Sequence, residues 1–340
     1  MSKSKIEWTD RTWNPVRGCS RVSEGCRNCY AERIAARFSA GQKEDPTNCD
    51  PPLCELDPPL SDKTLGIFEG FAIRTPSGPR WTGKVELIES KLTEPLHWKK
   101  PQRVFVNSMS DLFHEALPDD AIGRVFAVMA LCPHITFQIL TKRPERMLKF
   151  FAVDAAERVE RILNRDYGCT MWTFKPKGDW PLSNVWLGCS VEDQATADAR
   201  IPLLLQTPAA IRFVSYEPAL GPISFHGWIP FTRAAKEDSR LDWIIAGGES
   251  GPGARPAHPD WFRRVRDQCQ VSGVPFFFKQ RGNWTWDNTE AQNKIRLTVN
   301  GRNGQDLANA DDGGDVWMSN VGKKKAGALL DGREWKQFPK

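Results

Sequence analysis

Short apolar runs recur along the chain, each followed by a polar turn and then an amphipathic stretch. The clearest are Arg103–Met109, Ile135–Leu140, Val185–Ser190, Ile211–Ser215, Trp243–Ala246 and Val274–Phe278. Each is rich in β-branched and aromatic residues, the pattern of a strand buried on both faces of a parallel sheet. Helical spacings lie between them. Ala31, Ile34, Ala35 and Phe38 fall at i, i+3, i+4 and i+7, and Ile122, Val125, Phe126 and Met129 repeat that spacing. Pro144 and Pro259 stand where a first helical turn accepts proline, ahead of the stripes Met147, Leu148, Phe151 and Phe262, Val265, Cys269. Strands that alternate with helices pair in parallel. A first strand near Ile6–Trp13 and a short one at Lys84–Ile88 bring the count to seven or eight β/α units. The predicted fold is α/β, a complete or partial (β/α) barrel.

Two segments break the rhythm. Residues 41–82 are rich in Pro and Gly and read as an insertion over one mouth of the barrel. Residues 283–340 carry turn signals at Asn300-Gly301, Asn303-Gly304 and Asp312–Asp315, then a basic run at Lys323–Lys325. They read as a small C-terminal β-rich extension with an exposed basic loop. The expected organisation is therefore a barrel over 1–282, with its insertion at 41–82, and an extension over 283–340.

Composition narrows the class. The chain has 340 residues, 40% hydrophobic and 26% charged, a soluble globular balance. No apolar run approaches the roughly 18 residues of a membrane span, and no apolar segment follows the basic residues at the N-terminus. Neither membrane insertion nor secretion is expected. The net charge of +5 permits a polyanionic partner without demanding one. Nine cysteines in a chain without an export signal read as metal ligands plus buried thiols. The fourteen tryptophans, scattered along the chain, are expected mostly in core packing, with a few as stacking platforms.

The most specific chemical signal is Gly18-Cys19-Ser-Arg-Val-Ser-Glu-Gly-Cys26-Arg-Asn-Cys29-Tyr30, a C-x6-C-x2-C loop that leads into a helix. Three thiolates on one loop can grip one metal centre. A structural zinc site is closed by four ligands, and no fourth Cys or His lies within twenty residues except Cys49. Three thiolates on a cubane of four irons instead leave one iron open. Zinc, or three buried thiols, remain the alternatives. Cys132, Cys169, Cys189 and Cys269 sit in apolar contexts and read as buried thiols, while Cys49 and Cys54 form a candidate second metal pair.

Ligand-facing residues of a parallel barrel belong at the C-terminal ends of its strands. Those ends carry Asn107, Ser108 and Asp111; Thr141, Lys142 and Arg143; Ser190 and Glu192; Ser215 and Glu217; Gly247, Gly248 and Glu249; Lys279 and Gln280. This mixture of Ser, Asn and Gly with charges suits a lined pocket better than a solvated rim. Arg143 is a candidate bidentate clamp for a carboxylate or phosphate, with a surface ion pair as the plain alternative. His114 and His134 read as satisfied structural residues.

The three-cysteine loop after the first strand of a β/α barrel resembles that of radical S-adenosylmethionine enzymes. Thr12–Cys19, Cys26–Glu32, Phe105–His114, Leu140–Pro144, Gly247–Ser250 and Leu330–Trp335 are similar to a phage and bacterial family of three-Cys-motif phage proteins of unknown function. The common superfamily spacing is C-x3-C-x2-C, with an aromatic residue before the last cysteine; this chain has C-x6-C-x2-C and Asn28.

The resemblance implies that Cys19, Cys26 and Cys29 hold a [4Fe-4S] cluster whose open iron binds the amino and carboxylate groups of S-adenosyl-L-methionine. An electron from an external donor would cleave the sulfonium, and the 5′-deoxyadenosyl radical would abstract hydrogen from substrate. Cofactor contacts are expected from Tyr30, Asn107, Ser108, Asp111, Ser190, Glu192, Glu217, Gly247, Gly248 and Glu249. Gly247–Glu249 is similar to the Gly-Gly-Glu stretch that receives the methionine amino group. The catalytic candidates are Glu217, Arg143 and Lys279.

The expected substrate is a nucleotide or DNA base, for example a hypermodified thymine of phage DNA, in the cytoplasm of the host if the chain is phage-encoded. Its phosphate would enter over Arg143, Lys142, Lys279 and Lys323–Lys325. The alternatives are a radical repair lyase or isomerase for damaged pyrimidines, and a zinc-stabilised nucleic-acid-binding module without turnover.

Overall fold

Seven strands form one sheet: β1 (Arg11–Trp13), β2 (Gln102–Val106), β3 (Ile135–Thr141), β4 (Val185–Val191), β5 (Ile211–Tyr216), β6 (Trp243–Gly247) and β7 (Phe276–Gln280). In this computed structural model, residues 4, 6–39, 66–169, 178–230, 240–286, 294–300 and 314–339 are described. Each strand pairs in parallel with the next in the chain, and the sheet curves into a half-barrel. β1 and β7 are its two edges, so the barrel is partial. The extended stretch expected as a further unit at Lys84–Ile88 is a two-residue strand, Glu86–Leu87, that pairs antiparallel with Val16–Arg17. Backbone pairing with the segment just after β1 draws it away from the barrel wall.

Among the described residues, α1 (Tyr30–Arg37) packs with Phe68 and Phe71 on the strands Ala72–Thr75 and Gly78–Trp81, whereas α2 (Asp119–Ala130), α3 (Pro144–Ala152), α4 (Ala155–Tyr167), α5 (Gln194–Gln206) and α6 (Pro259–Ser272) cover the sheet. α3 and α6 begin on Pro144 and Pro259, where a missing N–H costs nothing. α5 opens on a capping box: Asp193 accepts from the Thr196 amide while the Thr196 hydroxyl accepts from the Asp193 amide. Among the described residues no helix is long and apolar enough to cross a membrane.

The alternating faces of the strands enter two different cores. One face, including Val104, Val106, Phe137, Ile139, Leu187, Val214, Ile244 and Phe278, packs under the helices. The concave face carries Phe105, Phe213, Trp243, Ile245 and Phe277, which gather with Trp8, Trp186 and Phe338. The Trp243 ring lies 5.2 to 6.3 Å from those of Trp8, Trp186, Phe213, Phe277 and Phe338. These rings fill the lower half of the lumen as a floor. Phe338 reaches it because the tail bridges Lys336 to Phe277 beside the β7 edge. Burial on both faces is why the strands read as unbroken apolar runs.

The C-terminal extension is a three-stranded antiparallel sheet, Trp284–Thr285, Val316–Asn320 and Lys294–Leu297, followed by a short helix at Lys323–Ala326. Within the insertion, Ala72–Thr75 and Gly78–Trp81 pair as a hairpin. Cys49 and Cys54 lie outside the described residues.

Gly188 sits on the concave face of β4, where an added Cβ would stand 2.7 Å from the Phe213 ring. Gly188→Ala is therefore expected to cost about 1–3 kcal/mol by overpacking the floor. Val271→Ser, at a 65% exposed position, is expected to change stability by less than about 0.5 kcal/mol. Urea midpoints of the two variants check the contrast.

Candidate functional site

The cysteine loop starts where β1 and the Val16–Arg17 strand hand the chain to Gly18. This glycine has φ +86°, and a Cβ there would meet the Lys84 carbonyl oxygen at 1.9 Å, so no other residue fits. Its backbone bridges Ser110, placing Cys19 beside the end of β2. A single 3-10 turn at Glu24–Cys26 reverses the chain, and Cys29 is the N-cap of α1.

None of the three cysteines is in a disulfide. Burial pushes the Cys19 thiol up to about 12, with Asp111 adding to the shift and Arg143 opposing it. Burial also raises Cys29, against the backbone N–H groups of Glu32 and Ala31 at the start of α1. Cys29 feels the charge of Cys26, and Cys19 feels that of Cys29, so the three sulfurs share one neighbourhood. Three anions this close need a positive centre or protons to neutralise them. Among the described residues no three Cys, His, Asp or Glu side chains converge on one point tightly enough to bind a single metal ion.

Three buried carboxylates from the strand ends hold this loop. Asp111, after β2, accepts from the Thr141 hydroxyl at 2.7 Å and from Arg143 Nη1 at 3.1 Å. Arg143 in turn donates to the Ser20 carbonyl and hydroxyl at 2.9 and 2.8 Å. Glu192, after β4, accepts from the Ser23 hydroxyl at 3.0 Å, from Arg200 at 3.0 Å and from Lys142. A Cβ on Gly25 would stand 2.3 Å from its Oε1, a measure of how closely the loop lies on it. Glu249, after β6, accepts from Asn28 at 3.0 Å and from Arg255 Nε and Nη2 at 2.9 and 2.7 Å. Arg255 also donates to the Glu24 carbonyl at 2.9 Å. The Tyr30 hydroxyl completes the set by donating to the Ser108 carbonyl.

The strand-end residues thus gather at one mouth, and they divide by what they touch. Asp111, Glu192 and Glu249, expected as cofactor contacts, are engaged with the loop. Arg143, expected as a clamp on an incoming anion, is buried with its guanidinium fully engaged. The signal for this was present in Ser20, Ser23 and Asn28, polar residues between the cysteines. Arg200 and Arg255, well downstream, gave none in the local pattern.

Other expected residues lie at the same strand ends without touching the loop's side chains. Asn107 has φ 60°, its Oδ1 accepts from the Val16 amide at 3.3 Å, and its buried Nδ2 has no partner among the described residues. Ser190 and Ser215 are register partners on the concave face, both buried. Lys279 donates to Glu217 at 2.6 Å beside Gly247. The Gly248 carbonyl, within the Gly-Gly-Glu stretch, accepts from Gln280 at 2.7 Å.

The remaining groups are structural. His114 Nδ1 accepts from the Ala116 amide at 3.1 Å, which leaves Nε2–H to donate to the Ser20 hydroxyl at 2.9 Å. Burial and the Arg143 charge push the His114 pKa down, keeping the ring neutral at pH 7. His134 lies 2.7 Å from the Trp98 carbonyl. Cys132, Cys189 and Cys269 belong to the core beneath the helices. Burial raises the Cys132 thiol to about 11 and that of Cys189 to about 12.

The family described as "Protein of unknown function (DUF5131)" matches residues 3–339. The chain belongs to the DUF5131 family. No curated protein and no solved structure matches it. The DUF5131 match spans the cysteine loop, all seven strand ends and the C-terminal sheet, so the whole mouth lies within the matched residues.

Burial alone would raise the Glu249 pKa, but the bonds from Arg255 and Asn28 outweigh it and leave it below its ordinary 4.5. A depressed carboxylate contributes stability above its unfolded pKa and loses it as pH falls through the folded one. Glu249→Gln is expected to cost about 1–3 kcal/mol at neutral pH, and the gap from wild type should close as pH drops below 4.5. Urea unfolding of both proteins across that range checks this, and a gap independent of pH would count against the Glu249–Arg255 clamp.

Proposed function

We propose that this DUF5131 protein is a radical S-adenosylmethionine enzyme acting on a nucleotide or DNA base. One observation carries the reading: three thiols, with no fourth beside them among the described residues, on a loop held by three buried carboxylates at the C-terminal mouth of a parallel half-barrel. This donor set fits a [4Fe-4S] cluster with one open iron better than a closed tetrahedral ion. A tetrahedral zinc would require sulfurs about 3.8 Å apart, given a Zn–S bond near 2.3 Å.

Cys19, Cys26 and Cys29 are assigned as the cluster ligands. When bound, the cluster and S-adenosylmethionine supply one-electron cleavage of the sulfonium and hydrogen abstraction from substrate, with the electron coming from an external donor. The chain supplies placement and shelter. The aromatic floor closes the lumen from below and keeps water from the reacting end. The unpartnered Nδ2 of Asn107 and the Ser190 and Ser215 hydroxyls are assigned to polar contacts with S-adenosylmethionine. Asp111, Glu192 and Glu249 act one step back, by holding the loop.

The substrate assignment rests on charge. Lys142 and Lys279 stand on the lumen wall, and Lys323 lies near enough to Lys279 that burial and that neighbouring charge lower its pKa. Each lysine in the Lys142–Glu192 and Lys279–Glu217 pairs can turn toward a phosphate. A DNA base of a phage, brought out of its stack, would carry a phosphate for these lysines to meet. An oxygen-sensitive cluster suits a reducing cytoplasm.

Anaerobically purified protein is expected to carry about four irons and four sulfides per chain. Cys26→Ala should abolish both, and Cys132→Ala, at a core thiol, should keep them. One zinc per chain without sulfide would overturn the assignment and favour the binding-module alternative. Under a strong reductant, the loaded protein should convert S-adenosylmethionine to 5′-deoxyadenosine and methionine above the no-enzyme control. Binding of single-stranded DNA should weaken with rising salt, with a log–log slope near −0.7 per phosphate neutralised. A flat salt response would remove nucleic acid as the partner.

A further inference from the structure

Arg143, the N-cap of α3, stands two residues past the end of β3 with its side chain 4% exposed. Nε donates to both oxygens of Glu115 at 3.0 and 2.9 Å, Nη1 to Asp111 at 3.1 Å, and Nη2 to the carbonyl and hydroxyl of Ser20. Nη1 also donates to the Cys19 sulfur at 3.8 Å. A guanidinium has five N–H donors and no acceptor. Every one of its nitrogens is therefore engaged within the protein, which leaves nothing to offer a substrate and makes the Cys19 contact the chemically distinctive one.

A cation that donates an N–H to a ligating sulfur favours the electron-rich state of an iron–sulfur centre, because hydrogen bonds to the sulfurs and nearby charge set its potential. The second carboxylate on this guanidinium belongs to Glu115, whose side chain is 63% exposed. It withdraws part of the cation's field from the Cys19 side. We infer that Arg143 sets the reduction potential of a cluster bound at Cys19, acting through that sulfur, with Glu115 as the counter-charge that moderates it. Arg143 is a positioning residue: it fixes Ser20 and polarises the Cys19 sulfur without touching substrate. This inference rests on the reading of the three cysteines as iron–sulfur ligands.

The test is an anaerobic redox titration of the reconstituted full chain, followed by electron paramagnetic resonance of the reduced cluster, with iron and sulfide measured on each sample. Arg143→Met should move the midpoint to more negative potential. Glu115→Gln should move it the other way, because the guanidinium is then less neutralised. Should Arg143→Met fail to load, Glu115→Gln decides, since Glu115 is largely exposed and outside the cysteine loop. A loaded Glu115→Gln cluster with an unmoved or more negative midpoint overturns the inference alone. A wild-type chain that takes up no iron and sulfide overturns the cluster reading, and this inference with it.

Discussion

An ionised carboxylate out of water is costly unless its charge is met by donors, and this protein buries three of them at the strand ends of one mouth, with Glu32 of α1, paired to Arg21 of the cysteine loop, as a fourth. Asp111, Glu192 and Glu249 are each satisfied partly by groups on their own side of the sheet and partly, directly or through a guanidinium, by the cysteine loop. Meeting the charge and fixing the loop are thus the same event. Buried ion pairs of this kind contribute little net stability against an apolar replacement, but breaking one is expensive. Their effect here is to make one loop position far more favourable than its neighbours.

Stability has other sources. The helix-side core and the aromatic floor bury the bulk of the apolar surface, and each uses alternate residues of the same strands. The mouth contributes polar and charged residues that neither core needs. This separation lets a half-barrel that does not close, its β7 edge covered by the tail at Trp335–Gln337, hold a rigid rim, because the lumen is filled with rings below the site.

Much of this was legible in the sequence. The apolar runs correspond to the strands, Pro144 and Pro259 open their helices, and the polar residues after each run do meet at one mouth. A rhythm of one helix per strand left no place for α4, although its stripe of Ala155, Val159, Ile162 and Leu163 is plain. α5 was hidden differently: Pro202 lies inside it, and Leu203, Leu204 and Leu205 run together without a single apolar face. Pairing direction is not a local property, so Lys84–Ile88 read as a barrel strand when its partner is antiparallel. Arg143 looked like a ligand clamp because sequence shows a side chain's chemistry but not that Asp111, Glu115 and Ser20 already surround it.

The clamp on the loop spans great lengths of chain: Arg255 reaches back 231 residues to the Glu24 carbonyl. In a polypeptide made from its N-terminus, the three thiols leave the ribosome early, while the residues that pin them arrive in sequence. Asp111 and Arg143 come first, then Glu192, and the Glu249–Arg255 pair comes after most of the sheet has been synthesised. Apart from the local Arg21–Glu32 pair, the contacts that pin the residues proposed to bind the metal are thus made after those residues themselves. A donor of iron and sulfide acting during synthesis would meet a loop still loose enough to accept them, and completion of β6 would close the grip.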